Sequence, residues 1–402
     1  MIKVVYYILW TLALVHALYF FLTAFFAFKR EKRLKSGDGK TKFGIILPAR
    51  NEEKVIGELV ESLRKQRYSK DLYDILVFVN NCTDSTREVA KKAGAKVIEV
   101  TRKVSTKGEV LMFALEKLKD TDYQAYIVFD ADNVVDPDFL NVMDDAYSNG
   151  FKAAQGQRET KNVNDGWIST CYSLFYYIQN LFFNRARTRM NASCSINGTG
   201  FMIDKEFAEQ HFKPKTLTED IELSIFCNLE GVKIFYAEDA ITYDEQPTRF
   251  NVSWKQRTRW SVGIIQCVRA YSGKLLKNAF KDNNFSCFDK LLFIITPFLQ
   301  ILSFVLGIFA VIVGCFGISV GILSHVPFWM FILYTIICYV ISMIFYALVL
   351  LYHKKSIAKN FMGILLFNFF IFTWVFINIY SIPKKTLEWK PIVHEKSMKK
   401  LK

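Results

Sequence analysis

The chain has 402 residues, 51% of them hydrophobic, with 37 phenylalanines and 19 tyrosines. That apolar content exceeds what a soluble enzyme needs and predicts membrane-spanning segments. The net charge of +14 comes without a nucleic-acid-binding motif, so we assign it to contacts with anionic lipid headgroups and expect no nucleic-acid partner. The 8 cysteines and 5 histidines are scattered, which argues against a zinc site and fits free thiols on a reducing, cytosolic side.

Four stretches without acidic or basic residues are long enough to cross a bilayer, which takes roughly 20 residues. They are residues 4–28, 291–323, 327–352 and 361–382. The first is too long for the apolar core of a signal peptide and lacks a small-residue cleavage site, so we interpret it as a membrane anchor.

Positive charge predicts the orientation of these stretches. The basic cluster at 29–35 places residues 29–290 in the cytosol, and the basic loop 353–355 fits a cytosolic turn. The tail after residue 382 is also basic, yet four simple crossings would leave it outside; its lysines are Lys384, Lys385, Lys390 and Lys396. An interfacial or re-entrant piece within 291–323, which is broken at Pro297, would resolve the conflict.

From residue 43 the hydrophobic pattern alternates between that of buried strands and that of amphipathic helices. The predicted strands are 43–48, 75–79, 96–100 and 126–129, and the predicted helices are 52–66, 83–93 and 106–118. Repeated strand–helix units predict an α/β domain with a mostly parallel sheet and helices on both faces. Ligands bind beyond the carboxyl ends of the strands in such sheets.

Three of these strand ends are polar and carry carboxylates, at residues 48–52, 80–84 and 130–133. Asp130 and Asp132 directly follow a buried strand, and on an extended segment they would point to the same side. Two neighbouring carboxylates repel each other unless a cation lies between them, so a pair like this suits Mg²⁺ or Mn²⁺ together with a diphosphate. The alternative is a turn or a helix cap before Pro137.

Other polar positions have a structural and a functional interpretation. Asp84 either caps a nearby helix or accepts hydrogen bonds from a base or a ribose. Lys107, with Gly108, opens a helix that favours phosphate, although a solvated lysine is the alternative. In Thr218-Glu219-Asp220 a carboxylate either favours a helix N-terminus or acts as the general base of a sugar transfer.

Two further segments flank the predicted site. Residues 198–200 (Gly-Thr-Gly) predict a tight loop that lets a ligand approach the backbone. In residues 256–260 (Gln-Arg-Thr-Arg-Trp), Arg259 would neutralise a diphosphate and Trp260 would stack on a sugar; an interfacial helix is the alternative. The aromatic stretch 167–183 either lies on the membrane or forms a wall of the site.

In chain order, Asp84, Asp130-Ala131-Asp132, Thr218-Glu219-Asp220 and Gln256-Arg257-Thr258-Arg259-Trp260 resemble the D, DxD, TED and QxxRW motifs of membrane-bound family 2 glycosyltransferases. That family includes cellulose, chitin, hyaluronan and poly-N-acetylglucosamine synthases and ceramide glucosyltransferases. The resemblance covers roughly residues 40–275 and implies a GT-A fold, the fold of nucleotide-diphospho-sugar transferases, flanked by transmembrane helices. It also implies an inverting, single-displacement reaction with a UDP-sugar donor, such as UDP-glucose or UDP-N-acetylglucosamine.

The resemblance further implies a role for each motif residue. Asp220 would be the catalytic base, and Asp130 and Asp132 would hold the metal and the diphosphate, with Asp132 the more direct metal ligand. The nucleotide-sugar would be bound by Pro48, Ala49, Asn51, Glu52, Asp84, Lys107, Asp130 and Asp132. The acceptor and the diphosphate would be contacted by Gly198, Thr199, Gly200, Glu219, Gln256, Arg259 and Trp260.

The sequence therefore predicts an anchor at 1–28, a cytosolic GT-A domain at 29–250, an interfacial segment at 251–290, about three spans at 291–382 and a basic tail at 383–402. One hypothesis is a processive synthase of a β-linked polysaccharide, which the QxxRW motif favours. A second is the transfer of one sugar to a membrane lipid, which the small membrane part favours. A transporter or scaffold with a vestigial crevice is a third hypothesis, and the intact carboxylates argue against it.

Overall fold

The computed structural model describes residues 2–30, 34–315 and 328–384, and a mixed eight-stranded sheet lies at its centre. Its strands are β1 (Phe43–Ala49), β2 (Tyr73–Val79), β3 (Lys96–Glu99), β4 (Ala125–Val128), β5 (Val134–Val135), β6 (Ala153–Thr160), β7 (Phe201–Asp204) and β8 (Ile234–Asp244). The strand order is β3-β2-β1-β4-β7-β6-β8-β5. Strands β3, β2, β1 and β4 are parallel, whereas β7 pairs antiparallel with both β4 and β6.

The helices are α1 (Ile2–Ala24), α2 (Ile56–Arg64), α3 (Thr86–Ala93), α4 (Lys107–Leu118), α5 (Phe139–Ser148), α6 (Trp167–Ile178), α7 (Ala186–Arg189), α8 (Lys205–His211), α9 (Glu219–Leu229), α10 (Phe250–Lys281), α11 (Phe285–Cys315), α12 (Phe328–Tyr352) and α13 (Phe361–Ser381). A π-helical turn, Gln179–Arg185, joins α6 to α7. We call the sheet with helices α2 to α10 the sheet domain.

Helices cover both faces of the sheet, as the strand–helix alternation predicts. On one face the apolar sides of α2 and α5 pack on the sheet, with Leu59 and Phe139 fully buried. On the other face α4, α8 and α9 pack on the sheet through residues such as Val110 and Leu223. Central strands that are buried on both faces read as continuous apolar runs, which is why β1 and β2 were recognisable.

The four predicted strands and three predicted helices all exist, with shifted ends. The helices predicted at 52–66 and 83–93 begin later, at Ile56 and Thr86. The residues in front of them form loops at the carboxyl ends of β1 and β2. The sequence pattern did not predict β6, β7 and β8, which lie beyond β4 in the sheet; β7 is antiparallel to its neighbours, and β6 and β8 are parallel to each other.

Four helices of the described residues are long and apolar enough to cross a membrane: Lys3–Phe28, Phe285–Gly314, Ile332–Tyr352 and Ala358–Ser381. The second begins before the predicted residue 291. Residues 316–323 of the predicted second span, residue 327 of the third and residues 385–402 of the tail lie outside the described residues.

The apolar helices are attached to the sheet domain by buried polar contacts. Arg187 of α7 donates hydrogen bonds to Asp289 of α11 at 3.0 and 3.2 Å, and both side chains are at most 2% exposed. The Tyr19 hydroxyl of α1 donates to the same carboxylate at 2.7 Å. Between α12 and α13, Lys355 forms an ion pair of 2.8 Å with Glu159 at the end of β6. The loop 353–357 therefore lies against the sheet domain.

Candidate active site

The loops that follow β1 and β2 are joined into one rim. The side-chain oxygen of Asn51 accepts the backbone N–H of Thr83 at 2.8 Å. The Glu53 carboxylate accepts the N–H of Ser85 at 3.0 Å, and in return the Asp84 carboxylate accepts the N–H of Glu53 at 3.2 Å. Because each loop satisfies backbone donors of the other, the rim is formed before any ligand binds.

Asp84 uses both carboxylate oxygens within this rim. Its second oxygen accepts the N–H of Thr86 at 3.1 Å and the hydroxyl of Thr86 at 2.5 Å. Because these bonds lie at the start of α3, Asp84 does support the start of a nearby helix, as one of its two interpretations predicted. Its contact with a base or a ribose stays a prediction.

The first strand is one residue longer than the predicted 43–48 and includes Ala49 as well as Pro48. Pro48 and Ala49 pair with Phe78 and Val79 of β2, so the loop begins after Ala49 and leaves Asn51 and Glu52 as the loop positions. Proline fits here because the β1–β4 ladder ends at Ile46, and no partner strand needs an N–H from residue 48.

Asn80, which directly follows β2, was not among the predicted site residues. Its N–H donates to the Ala49 carbonyl at 2.9 Å, but its side-chain amide has no hydrogen-bond partner among the described residues and is only 1% exposed in total. A buried amide without a partner costs free energy unless a ligand or water satisfies it. The sequence signal that could have identified Asn80 as a site residue was its position directly after a predicted strand.

Asp130 and Asp132 lie in a turn and not on an extended segment. The N–H of Asn133 bonds back to the Asp130 carbonyl at 3.2 Å, which closes this turn. The two carboxylates consequently have different partners: Lys107 for Asp130, at 2.6 Å, and the N–H of Glu245 for Asp132, at 3.2 Å. The extended segment assumed for these residues is wrong, because the chain turns immediately after β4; that the two carboxylates hold one metal stays a prediction.

Lys107 is the cation at the centre of the site. It is the first residue of α4, behind an N-cap at Thr106 whose capping box fixes the helix start. Besides Asp130, the Lys107 ammonium donates to the carbonyl of Gly198 at 2.6 Å and lies 3.6 Å from the carboxylate of Glu219. The alternative of a solvated lysine is therefore wrong, while phosphate binding stays a prediction.

The loop 198–200 is built onto the Asp130 turn. The N–H of Asp130 donates to the Thr199 hydroxyl at 3.0 Å, and that hydroxyl donates to Asn133. Gly198 and Gly200 have φ of +81° and +62°, a region that glycine enters without strain. Side chains could not replace these hydrogens: a Cβ on Gly200 would lie 2.8 Å from Thr242.

Asp220 reaches the site from the first turn of α9. One carboxylate oxygen accepts the N–H of Ile221 at 2.8 Å, and the other faces Gly198, where a Cβ would approach it to 3.3 Å. Thr218 occupies the N-cap position without a side-chain capping bond. Both interpretations of Thr218-Glu219-Asp220 thus have support, since the segment starts a helix and also brings a carboxylate to the site.

Charges around these carboxylates act in opposite directions. Burial alone would raise the pKa of Asp130, but Lys107, with Arg158 and Arg259, outweighs it and lowers that pKa. Burial raises the pKa of Asp220, while the N–H of Ile221 and the two cations Lys107 and Arg259 only partly oppose the rise. One carboxyl of the site is therefore held ionised, and another is a stronger base than an ordinary aspartate.

Helix α10 closes the site from the membrane side. Gly263 allows this contact, because a Cβ there would overlap the side chain of Thr218, whose hydroxyl would be 2.6 Å away. Arg259, half-buried on this helix, acts electrostatically on Asp130 and Asp220. The side-chain oxygen of Gln256 is buried without a partner among the described residues.

Trp260 and Arg257 face the apolar helices. The Trp260 ring packs edge-on against Tyr172, with centroids 6.2 Å apart, and stacks at 6.3 Å on Trp374 of α13. Arg257 is fully buried and donates to the Phe370 carbonyl at 3.0 Å. The stretch 167–183, predicted to lie on the membrane or to line the site, forms α6 between α10, α12 and α13. The stacking of Trp260 on a sugar stays a prediction.

Arg158 and Asp244 form a buried pair that the sequence did not indicate. Arg158 of β6 donates to the Asp244 carboxylate at 2.7 Å and to the carbonyl of Asn197 at 3.1 Å. Burial raises the pKa of Asp244 to about 6, opposed by Arg158 and reinforced by Asp132 and Asp130. The polar residues inside β6 hid this strand from the hydrophobic pattern, and the sequence does not reveal that Arg158 is buried.

The carboxylates fit a divalent ion that arrives with a diphosphate. Asp oxygens suit Mg²⁺ or Mn²⁺, which commonly bind through one or two carboxylates together with substrate phosphates. Among the described residues no group of three or more His, Cys, Asp or Glu side chains could hold a metal by itself. Asp130 and Asp132 therefore need phosphate oxygens or water to complete a coordination shell.

Comparison with known proteins gives sequence relatives. The sequence model of glycosyltransferase-like family 2 matches residues 41–263. Probable glycosyltransferase YdaM of Bacillus subtilis is 25% identical over 357 residues, which are 85% of this chain and 82% of that protein. Beta-monoglucosyldiacylglycerol synthase of Nostoc sp. is 25% identical over 262 residues, 63% of this chain, and the match spans only 55% of that protein.

A solved structure has a similar fold. Mannosyltransferase PcManGT from Pyrobaculum calidifontis, in complex with GDP-Man and Mn²⁺, aligns with 92% of this chain and 99% of its own, at a TM-score of 0.61 and 14% identity. The predicted fold is thereby confirmed: a GT-A domain with a mixed sheet, flanked by long apolar helices.

Proposed function

The chain belongs to glycosyltransferase-like family 2, and from this premise we propose that it transfers one sugar, with inversion, from a UDP-sugar to a hydroxyl group of a lipid in the membrane. That it is a glycosyltransferase with a nucleotide-sugar donor follows from the family. The acceptor, the base of the nucleotide and the inverting course are the proposal. The observation that carries it is the convergence of Asp130, Lys107 and Asp220 at one edge of the sheet, beneath α10.

In the proposed reaction Asp220 takes the proton of the acceptor hydroxyl as that oxygen attacks the anomeric carbon of the sugar. The bond between this carbon and the diphosphate breaks, and the diphosphate leaves with the electron pair. The raised pKa of Asp220, caused first by burial, makes the carboxylate a better proton acceptor. Attack on the face opposite the diphosphate inverts the configuration.

The leaving diphosphate would gain charge next to Lys107 and Arg259. Lys107 already neutralises Asp130, so a bound diphosphate would share this cation with the carboxylate. Asp130 and Asp132 would hold Mg²⁺ or Mn²⁺, which offsets diphosphate charge when bound. The unpartnered amide of Asn80 lies in the rim where a nucleotide base would sit.

A lipid acceptor is supported by what surrounds Trp260. Aromatic side chains of α6 and α13 fill the space next to it, including Tyr172, Phe370 and Trp374. A polymer channel beside the site would need that space. The name of the Nostoc relative, a monoglucosyldiacylglycerol synthase, points to the same acceptor class. The basic residues at 29–35 and 353–355 favour a cytosolic site.

A processive polysaccharide synthase remains the second candidate, favoured by the Gln256, Arg259 and Trp260 motif. The deciding experiment supplies the detergent-purified enzyme with UDP-glucose, UDP-N-acetylglucosamine or GDP-mannose, each with and without diacylglycerol. Nucleotide release and product size are measured together. We expect release that depends on the lipid and a product with one sugar per lipid. A polymer made without lipid would favour the second candidate, and no nucleotide release with any donor would contradict both.

A further inference from the structure

Helix α13 has two unlike faces. Half of its buried residues are small or polar, namely Gly363, Thr373, Asn378 and Ser381, and the other half are apolar, namely Ile364, Phe367, Phe370 and Ile377. The opposite face is exposed and apolar, with Phe369, Phe372, Phe376, Ile379 and Tyr380 at spacings of three and four residues. A helix patterned in this way has one side on protein and the other in an apolar medium.

The buried face follows α10 over most of its length. Arg257 donates to the Thr373 hydroxyl at 2.9 Å, in addition to the Phe370 carbonyl. Further along both helices, Ser261 donates to Asn378 at 2.7 Å. Beyond the helix end, the guanidinium of Arg269 donates to the carbonyl of Ile382 at 2.9 Å. The two helices therefore run in the same direction, side by side.

Helix α10 is itself part of the sheet domain. Its first turn meets α6, where the hydroxyls of Ser253 and Tyr172 lie 3.1 Å apart. Its later turns meet the site, where the Tyr271 hydroxyl donates to Glu222 and the side-chain oxygen of Gln266 accepts the N–H of Leu217 at 2.9 Å. A helix fixed at both of these places follows the domain surface and does not leave it.

The ends of the apolar helices differ in what they touch. At the end of α1, Ala27 accepts a hydrogen bond from Arg189 at 2.7 Å, and at the start of α11, Asp289 pairs with Arg187. Among the described residues, α1, α11 and α12 each bring one end to the sheet domain. Helix α13 brings both: a Cβ on Gly363 would lie 2.7 Å from Thr170 of α6, and Ile382 is bound by Arg269 of α10.

The positive charges of α10 also argue against a membrane crossing by α13. If α13 crossed the hydrocarbon, α10 would have to cross beside it, and Arg257, which contacts the middle of α13, would lie near the bilayer centre. An arginine or lysine near the bilayer centre costs about 2.5–3.5 kcal/mol even on a permissive scale. Along α10, Arg269 is followed by Lys274 and Lys277, so this helix belongs at the membrane surface.

We propose that α13 does not cross the membrane but lies along its surface, with its Phe369–Phe372–Phe376 face in lipid acyl chains and its other face carrying the sheet domain. The protein then crosses three times, with α1, α11 and α12. The chain after Ile382 emerges on the side of the sheet domain. Lys384 joins Lys354 and Lys355 on that side, as the charge rule requires.

The test is the sidedness of residue 384. Lys384→Cys is introduced into the full chain with Cys82, Cys315 and Cys338 replaced by serine, in bacterial cells, and is probed with a membrane-impermeant maleimide. Labelling is compared in right-side-out spheroplasts and in inverted vesicles. Lys354→Cys marks the side of the sheet domain, and Lys3→Cys marks the opposite side of α1. The size-exclusion profile of each variant in detergent, compared with that of the unlabelled parent, verifies that it is folded.

We expect Lys384→Cys to label in the same preparation as Lys354→Cys and to be protected in the preparation that labels Lys3→Cys. Labelling that follows Lys3→Cys, or equal labelling in both preparations, would overturn the proposal. If Lys384→Cys does not accumulate, a cysteine added after Lys402 tests the same side without altering α13. This outcome is independent of the sugar, the acceptor and the reaction.

Discussion

Asp220→Asn is the substitution that most directly tests the proposed chemistry. The side chains have nearly the same shape, and the amide oxygen of asparagine can still accept the N–H of Ile221 that Asp220 accepts at 2.8 Å. The contact with Gly198 also persists, because it is made by the second atom of the same planar group. The substitution removes the proton acceptor and leaves the architecture of the site in place.

A positioned general base contributes about 10²–10⁴-fold to a rate, which corresponds to about 2.7–5.5 kcal/mol of barrier. We expect a loss near the upper end, because burial raises the pKa of Asp220 and makes it a stronger base. Nucleotide affinity should hold or increase. Removing this negative charge leaves Lys107 and Arg259 freer to attract a diphosphate.

The assay is steady-state release of UDP from purified enzyme, with UDP affinity measured separately by calorimetry. Glu230→Gln is the matched control, because it makes the same charge change at the other end of α9, where Glu230 is exposed and faces His211. The control should retain full turnover. If UDP affinity of Asp220→Asn falls as far as its turnover, Asp220 binds the donor and is not the base.

Three other outcomes follow from the site. The pH profile of kcat/KM should have an acidic limb centred above 3.8, the ordinary pKa of aspartate, because Asp220 must be ionised to act and burial raises its pKa. Activity should therefore fall as the pH drops. An acidic limb that persists in Asp220→Asn would contradict this assignment. Asp132→Ala should weaken UDP binding at least tenfold in Mn²⁺ but little without it, as titration calorimetry would detect; equal affinity of the unmutated enzyme with and without Mn²⁺ would refute the metal role. Gly263→Ala should destabilise the protein by about 1–3 kcal/mol, because the new methyl overlaps Thr218, while Gly273→Ala, with nothing within 4 Å, should be neutral or stabilising in a thermal melt.

The parallel half of the sheet was predictable because its strands are buried on both faces. Continuous apolar runs such as those of β1 and β2 indicate strands buried on both faces of a parallel sheet. The loops that follow parallel strands lie at one edge of the sheet. This reasoning also placed Asp84 and Asp130 at that edge, where they follow β2 and β4. It could not anticipate the turn after β4, since a tertiary bond from Lys107 selects the orientation of Asp130.

The half of the sheet formed by β6, β7 and β8 escaped prediction for a physical reason. Strand β6 contains Gln155 and Arg158, both buried, and most of their hydrogen-bond partners are distant in the sequence. Gln155 accepts the N–H of Asn197 at 2.8 Å, and Arg158 pairs with Asp244 of β8. Hydrophobic periodicity registers only apolar residues, so a strand whose buried positions are paired polar groups resembles a loop.

The ion pair between Arg187 and Asp289 restricts how this protein can be prepared for biochemical work. Cutting the chain after the sheet domain would remove Asp289 and leave the Arg187 guanidinium, fully buried in the intact protein, without a counter-charge. Asp289→Ala, which breaks the same pair and leaves the guanidinium buried, would cost about 3–5 kcal/mol, a large share of the margin that keeps a domain folded. Biochemical work therefore belongs in detergent or nanodiscs with the whole polypeptide, and a truncated, water-soluble version is a poor surrogate for the enzyme.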